Sequence, residues 1–256
     1  MVSFFLQANV PSERTDGLSD AQRKALLTDL KILNVPSERT DGLSDAQLKA
    51  LLTDLKSLIG TAWITDGVIQ RIFAIFSTTF RNEKILLFTQ GESTMLTLDK
   101  DAIARKPLLE YKLVFIPLSS DQMNPYGSDA WVHFSLLVLD NTKEGRHMFH
   151  HYDTARPANR AVAESVVESI KKVIPAFAKD VYDAPVPQQD SYNCGVHVLA
   201  ITEAICEWFM EYEESAHKME YNAFVTNRVK ERRVVHSMRK KYYQMLLNHK
   251  DVPGPG

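Results

Sequence analysis

Two strand-forming runs flank a turn between residues 133 and 153. Residues 133–140 read HFSLLVLD, residues 141–145 carry Asn and Gly where a bend needs them, and residues 148–153 read MFHHYD. This pattern predicts an antiparallel hairpin. With the turn centred on Lys143, His133 faces Asp153 across the two strands, where opposed Cβ atoms lie ~4.5–5.5 Å apart. Local geometry alone then holds a carboxylate against an imidazole, as an orienting partner requires.

A nucleophile candidate lies further on. Cys194 stands in SYNCGVHV, between a polar loop at 188–193 and a long helical pattern in which Val198, Ile201, Ile205 and Trp208 share one face. Free N–H groups and partial positive charge at a helix N-terminus favour a thiolate over a thiol. Thiolate, imidazole and carboxylate together make an activated nucleophile. Gly195 leaves room for close approach of another chain. Gln188, six residues before Cys194, offers a side-chain N–H that can join the backbone N–H of Cys194 around an oxyanion.

The remainder reads as mixed α and β. Residues 62–80 predict a helix with Ile64, Val68, Ile72 and Ile75 on one face. Short strands are expected at 84–88, 94–98, 111–116 and 181–184. A helix carrying Ala163, Val166, Val167, Ile170 and Ile174 ends at Pro175. The last stretch is helical and basic, with eight Lys/Arg against one Glu from Thr226 to Lys250. A solvated face is its simplest reading, and attraction to an acidic or phosphoinositide partner its functional one.

The first 58 residues are unlike the rest. Residues 9–33 and 34–58 are two 25-residue copies that differ only at 23/48 and 32/57. Each contains Ser-x-x-Gln, a capping-box pattern, followed by leucines at helical spacing: Leu26, Leu30, Leu33 and Leu51, Leu55, Leu58. Two copies are too few for a solenoid. They are read as a helical N-terminal extension over 1–58, docking on the main domain of 59–250 or on a partner. The competing reading is a recent duplication without a role of its own.

Composition excludes several classes. A net charge of -2 gives no general attraction to nucleic acid, and no apolar run approaches the ~20 residues that span a bilayer. Residues 1–8 have neither the basic flank nor the long apolar core of a signal peptide. The two cysteines, Cys194 and Cys206, form no metal motif. Free thiols fit a reducing compartment, cytoplasmic or nuclear.

Four blocks carry a family resemblance: WITDGVI (63–69), HFSLLVLD (133–140), FHHYD (149–153) and PQQDSYNCGVHV (187–198). In content and order they resemble the ubiquitin-like-protein-specific cysteine proteases, the sentrin/SUMO proteases and, more closely, the deneddylases. The resemblance covers roughly residues 60–210. It implies a papain-like α+β fold of the ubiquitin-like protease type, with a central mixed sheet flanked by helices. It also implies that His133 is the base, Asp153 its orienting group, Cys194 the nucleophile and Gln188 an oxyanion-hole residue. Trp63 and Phe134 would clamp the Gly-Gly tail of a ubiquitin or ubiquitin-like substrate, with Asp66 near the substrate surface. No metal or organic cofactor is required. The family usually has tryptophan where this chain has Phe134, which leaves the tunnel roof looser. The repeats are foreign to the family. A near-identical duplication points to a rapidly evolving protein, such as a bacterial effector secreted into a host cytosol.

Other readings compete. Cys194 is alternatively a buried core thiol, free cysteine being among the most buried residue types. Cys206 is read as core, His150 and His151 as surface or satisfied strand positions, His197 as packing, and Asp140 as a turn residue. A YopJ-type acetyltransferase using acetyl-coenzyme A shares the order of the three residues. A non-catalytic binder of ubiquitin-like proteins is the alternative outside enzymes.

Overall fold

The computed structural model describes residues 18–98, 107–122, 132–155, 158–172, 174, 182–183, 190–218, 222–229 and 232–249. A five-stranded mixed sheet runs in chain order: β1 (Ile85–Leu87), β2 (Leu113–Ser119), β3 (Phe134–Lys143), β4 (Arg146–Tyr152) and β5 (Tyr182–Asp183). The two outer pairs are parallel and the two inner ones antiparallel. The chain has the α+β architecture expected from its sequence.

Successive strand residues point to opposite faces, and here both faces are covered. Leu136 and Val138 of β3 join Leu113 and Phe115 of β2 in one core. That core also takes in α4 (Asp66–Thr79), α7 (Cys194–Tyr212), α8 (Asn222–Val229) and α9 (Arg232–Asn248). Leu137, Leu139, Val114 and Ile116 face the other way, with residues of α5 (Gln90–Leu98) and α6 (Arg160–Lys171). Burial on both sides explains why LLVL runs without polar alternation. Helix α7 is buried on nearly every side, from Cys194 to Phe209.

Two sequence expectations fail locally. Residues 94–98 are helical, not a strand. Thr89 and Glu92 form a reciprocal cap at the start of α5: the Thr89 N–H donates to Glu92 Oε2 at 2.8 Å and the Glu92 N–H to Thr89 Oγ1 at 3.1 Å. The hairpin turn is also displaced. Strand β3 continues to Lys143, so the chain reverses at Glu144 and Gly145. The Asn141 amide holds that extension by donating to the carbonyls of Leu108 and Tyr111, at 3.1 and 2.9 Å. Leu136 pairs with Tyr152 and Leu137 with His151, so the ladder sits two places from the expected register, which preserves the faces.

The described residues of both repeat copies are largely helical. Copy one contributes α1 (Asp20–Ile32). Copy two contributes the short α2 (Ser37–Thr40) and α3 (Asp45–Ser57). Ser19–Gln22 and Ser44–Gln47 are complete capping boxes. Leu48, Leu51, Leu55 and Leu58 enter the same core as α4 and α7, and α1 packs on α3. The two positions that differ follow this layering. Leu48 is fully buried, whereas its counterpart Arg23 lies at the surface, paired with Asp45. Ser57 is buried, whereas Ile32 is 71% exposed.

Candidate functional site

Three side chains converge where β3 begins, β4 ends and α7 starts. His133 precedes β3 and Asp153 follows β4. The ring N–H at Nε2 donates to Asp153 Oδ1 at 2.7 Å, with both side chains closed to solvent. Cys194, the first residue of α7 and 4% exposed, lies close enough to the same ring to act on its charge. Burial opposes charge on His133, but the hydrogen bonds and charges of Asp153 and Cys194 outweigh it and raise its pKa to about 9. Burial likewise pushes the Asp153 carboxyl up. Its bonds to His133, to the Asn159 N–H at 2.9 Å and to the Ala155 N–H at 3.0 Å more than reverse this and hold it below the usual carboxylate range.

The wall beside the thiol comes from the segment before α4. A Cβ on Gly195 would meet Ile64 Cγ1 at 2.6 Å and Phe134 Cδ2 at 3.4 Å, so glycine is needed there for close approach. Phe134 is buried at 6% exposure, while Trp63 stands 43% exposed. Asp66 is exposed in the first turn of α4. Gln188 lies outside the described residues. Among those residues no cluster of three metal-binding side chains forms, and no helix is long and apolar enough to cross a membrane.

No protein-family model matches the chain. Over 159 residues it is 28% identical to NEDD8-specific protease 1 of Arabidopsis thaliana, covering 59% of this chain and 68% of that protein. Over 124 residues it is 30% identical to sentrin-specific protease 8 of Homo sapiens, covering 46% of this chain but only 54% of the relative. Among solved structures, a de-sumoylating protease superposes with a TM-score of 0.55 at 17% identity, covering 76% of this chain and 83% of that one. The SUMO protease Ulp1 gives a TM-score of 0.51 at 14% identity, covering 90% and 97%. In sequence this chain is similar to NEDD8- and sentrin-specific proteases. It has the fold of the two SUMO proteases.

Several residues that sequence reasoning passed over hold the site. Asn159, just before α6, is wholly buried. Its amide donates to the His133 carbonyl at 2.9 Å and to Ser135 Oγ at 3.1 Å, while its N–H serves Asp153. An asparagine at a helix entrance was its only sequence signal. Asp190 accepts N–H bonds from Tyr192 and Asn193 and the Asn193 side-chain amide, at 3.1, 3.0 and 2.7 Å. Asn193 makes no capping bond at the start of α7.

Asp54, from the second repeat copy, reaches the first turn of α4. Its Oδ1 accepts from Thr65 Oγ1 at 2.5 Å and its Oδ2 from Arg71 Nε at 2.9 Å, both carboxylate and guanidinium being buried. A Cβ on Gly67 would strike that carboxylate at 2.6 Å.

The remaining candidates fall elsewhere. Asp140 is buried rather than a plain turn residue. It accepts the Thr142 N–H at 2.8 Å and lies 3.7 Å from His150 Nε2. His150 and His151 are buried, and His151 Nε2 lies 3.1 Å from Ser135 Oγ. Burial pulls His197 down to about 4, so it packs as a neutral ring, and burial pushes the Cys206 thiol up. The basic C-terminal stretch is not uniformly solvated: Lys241 pairs with Glu203, Arg228 with Glu207, and Arg239 is buried.

Proposed function

We propose that this chain is a cysteine isopeptidase that hydrolyses the bond after the C-terminal Gly-Gly of a ubiquitin-like modifier, with NEDD8 preferred. The observation that carries the reading is His133, closed to solvent, with Asp153 on one ring nitrogen and Cys194 near enough to act on the ring's charge. Similarity to an Arabidopsis protease named for NEDD8 supports the preference.

In this reading His133 takes the thiol proton and the Cys194 thiolate attacks the glycyl carbonyl. The carbonyl electron pair moves onto oxygen, where the backbone N–H at the start of α7 and the Gln188 side chain stabilise it. The C–N bond breaks as the imidazolium protonates the leaving amine, and a thioester remains on Cys194. Water then gives a proton to His133 and attacks the thioester. The thiolate departs, leaving the free Gly-Gly carboxylate. Trp63 and Phe134 line the path of the tail, Gly195 keeps it open near the sulfur, and Asp66 meets the modifier's surface. A thiol that must stay reduced calls for a compartment such as the cytoplasm or nucleus.

The test is a panel of ubiquitin, SUMO and NEDD8 carrying C-terminal electrophilic warheads. The expected result is one covalent adduct, on Cys194, formed fastest with NEDD8 and absent in Cys194→Ala. Failure of every modifier to label the chain, or cleavage by Cys194→Ala, overturns the reading.

A further inference from the structure

A buried guanidinium must give its N–H groups partners or destabilise the fold. Arg239, midway along α9, is 2% exposed, and the acceptors it finds all lie on other elements. Its Nε donates to Asn193 Oδ1 at 2.6 Å. Its Nη2 donates to the Ala62 carbonyl at 2.6 Å and the Tyr192 carbonyl at 3.1 Å, and its Nη1 to the Ser57 carbonyl at 3.0 Å. The guanidinium carbon lies 5.4 Å from the centre of the Tyr192 ring.

These acceptors are not scattered. Tyr192 and Asn193 directly precede Cys194, Ala62 directly precedes Trp63, and Ser57 ends the helix of the second repeat copy. One planar group thus ties the nucleophile's loop to the wall facing it. It also draws the Asn193 side chain away from the α7 N-terminus, so that this side chain does not compete for the N–H groups an oxyanion needs. Lysine cannot reproduce the arrangement, because its ammonium is a point donor without a fork.

We propose that Arg239 is a positioning residue that sets the Cys194 loop against the Trp63 segment, fixing where the thiol stands relative to the channel for the modifier tail. Its kinetic consequence rests on the protease reading; its effect on the thiol does not.

The test compares the full chain with Arg239→Lys, Asn193→Ala, their double variant and Lys240→Ala, an exposed neighbour on α9. The readouts are hydrolysis of a NEDD8 C-terminal fluorogenic amide, peptide-mapped alkylation of Cys194 by iodoacetamide at about pH 6 and about pH 9, and thermal midpoint. A displacement near 1 Å costs roughly 10²-fold, so Arg239→Lys should lose about that much in kcat with KM within about threefold. The ratio of alkylation rates at the lower and higher pH should fall about tenfold, because the thiol no longer stands against His133. The double variant should be no worse than Arg239→Lys, since the two residues share one contact, and Lys240→Ala should match the parent. A folded Arg239→Lys with parental kcat and alkylation ratio overturns the inference, as do losses that multiply in the double variant. If Arg239→Lys does not fold, parental values in Asn193→Ala overturn it. If the parent cleaves no modifier, the protease reading fails alone and the alkylation ratio still decides the role of Arg239.

Discussion

His133 Nε2 and Asp153 Oδ1 are 2.7 Å apart although the two residues lie beyond the ends of β3 and β4 and occupy no paired position of the ladder. Their contact is made by backbone donors. The N–H groups of Asn159 and Ala155 fix both carboxylate oxygens, and the Asn159 amide ties down the His133 carbonyl.

Asp153→Asn should therefore be costly with the fold intact. Each carboxylate oxygen faces an N–H donor, so an amide NH2 meets one wherever it turns. A loss of ~10²–10⁴-fold in kcat is expected, with warhead labelling slowed in parallel. Steady-state kinetics beside a thermal melt check it.

The pH response follows from two opposite shifts. His133 is raised from its ordinary 6.5 to about 9, so its contribution to stability is complete below about 6.5 and is lost as pH rises through about 9. Asp153 is depressed from its ordinary 3.8, so its contribution is present above that value and is lost as pH falls through a lower one. Loss of the imidazolium also removes the acid for the leaving amine. An alkaline limb in kcat/KM near pH 9 is expected, moving downward in Asp153→Asn.

Gly195→Ala tests the channel wall. The added Cβ would sit 2.6 Å from Ile64 Cγ1 and push the segment that carries Trp63. Activity should fall about tenfold or more, since small misplacements at a reacting centre are costly. Ile64→Ala removes the obstructing atoms, so the double variant should recover part of the loss. Purely additive losses would show that the two residues are uncoupled.

The repeats supply an internal control. Asp29 and Asp54 are corresponding residues, but Asp29 pairs at the surface with Lys56 at 3.1 Å while Asp54 is buried against Arg71. Asp54→Ala leaves a buried guanidinium without its carboxylate and should cost about 3–5 kcal/mol. Asp29→Ala should cost under about 1 kcal/mol. Denaturant unfolding distinguishes them.

What was readable in the sequence was local. The strands around LLVL and the helix opening at Cys194 come from short-range pattern. The hairpin register misses by two places because Asn141 is held by Leu108 and Tyr111, about thirty residues away. Helix α5 was signalled by Thr89 and Glu92, a cue outweighed by the strand-like look of residues 94–98. Arg239 sits in a basic run resembling any solvated helix face, and only its tertiary partners set it apart. Asp29 and Asp54 have nearly identical neighbours in sequence, so no local rule could say which one is buried. Gln188 lies outside the described residues.

The layering of the copies makes exchange between them unequal. Were recombination to overwrite the first copy with the second, position 23 would gain a leucine in a partly exposed place and give up the Arg23 bonds to Asp45 and the Leu43 carbonyl. The reverse event would force a guanidinium into the fully enclosed site of Leu48, where an unmatched charge is severely penalised. Overwriting the second copy with the first is therefore the costlier event, and the apolar residue at position 48 is the difference that the fold itself enforces.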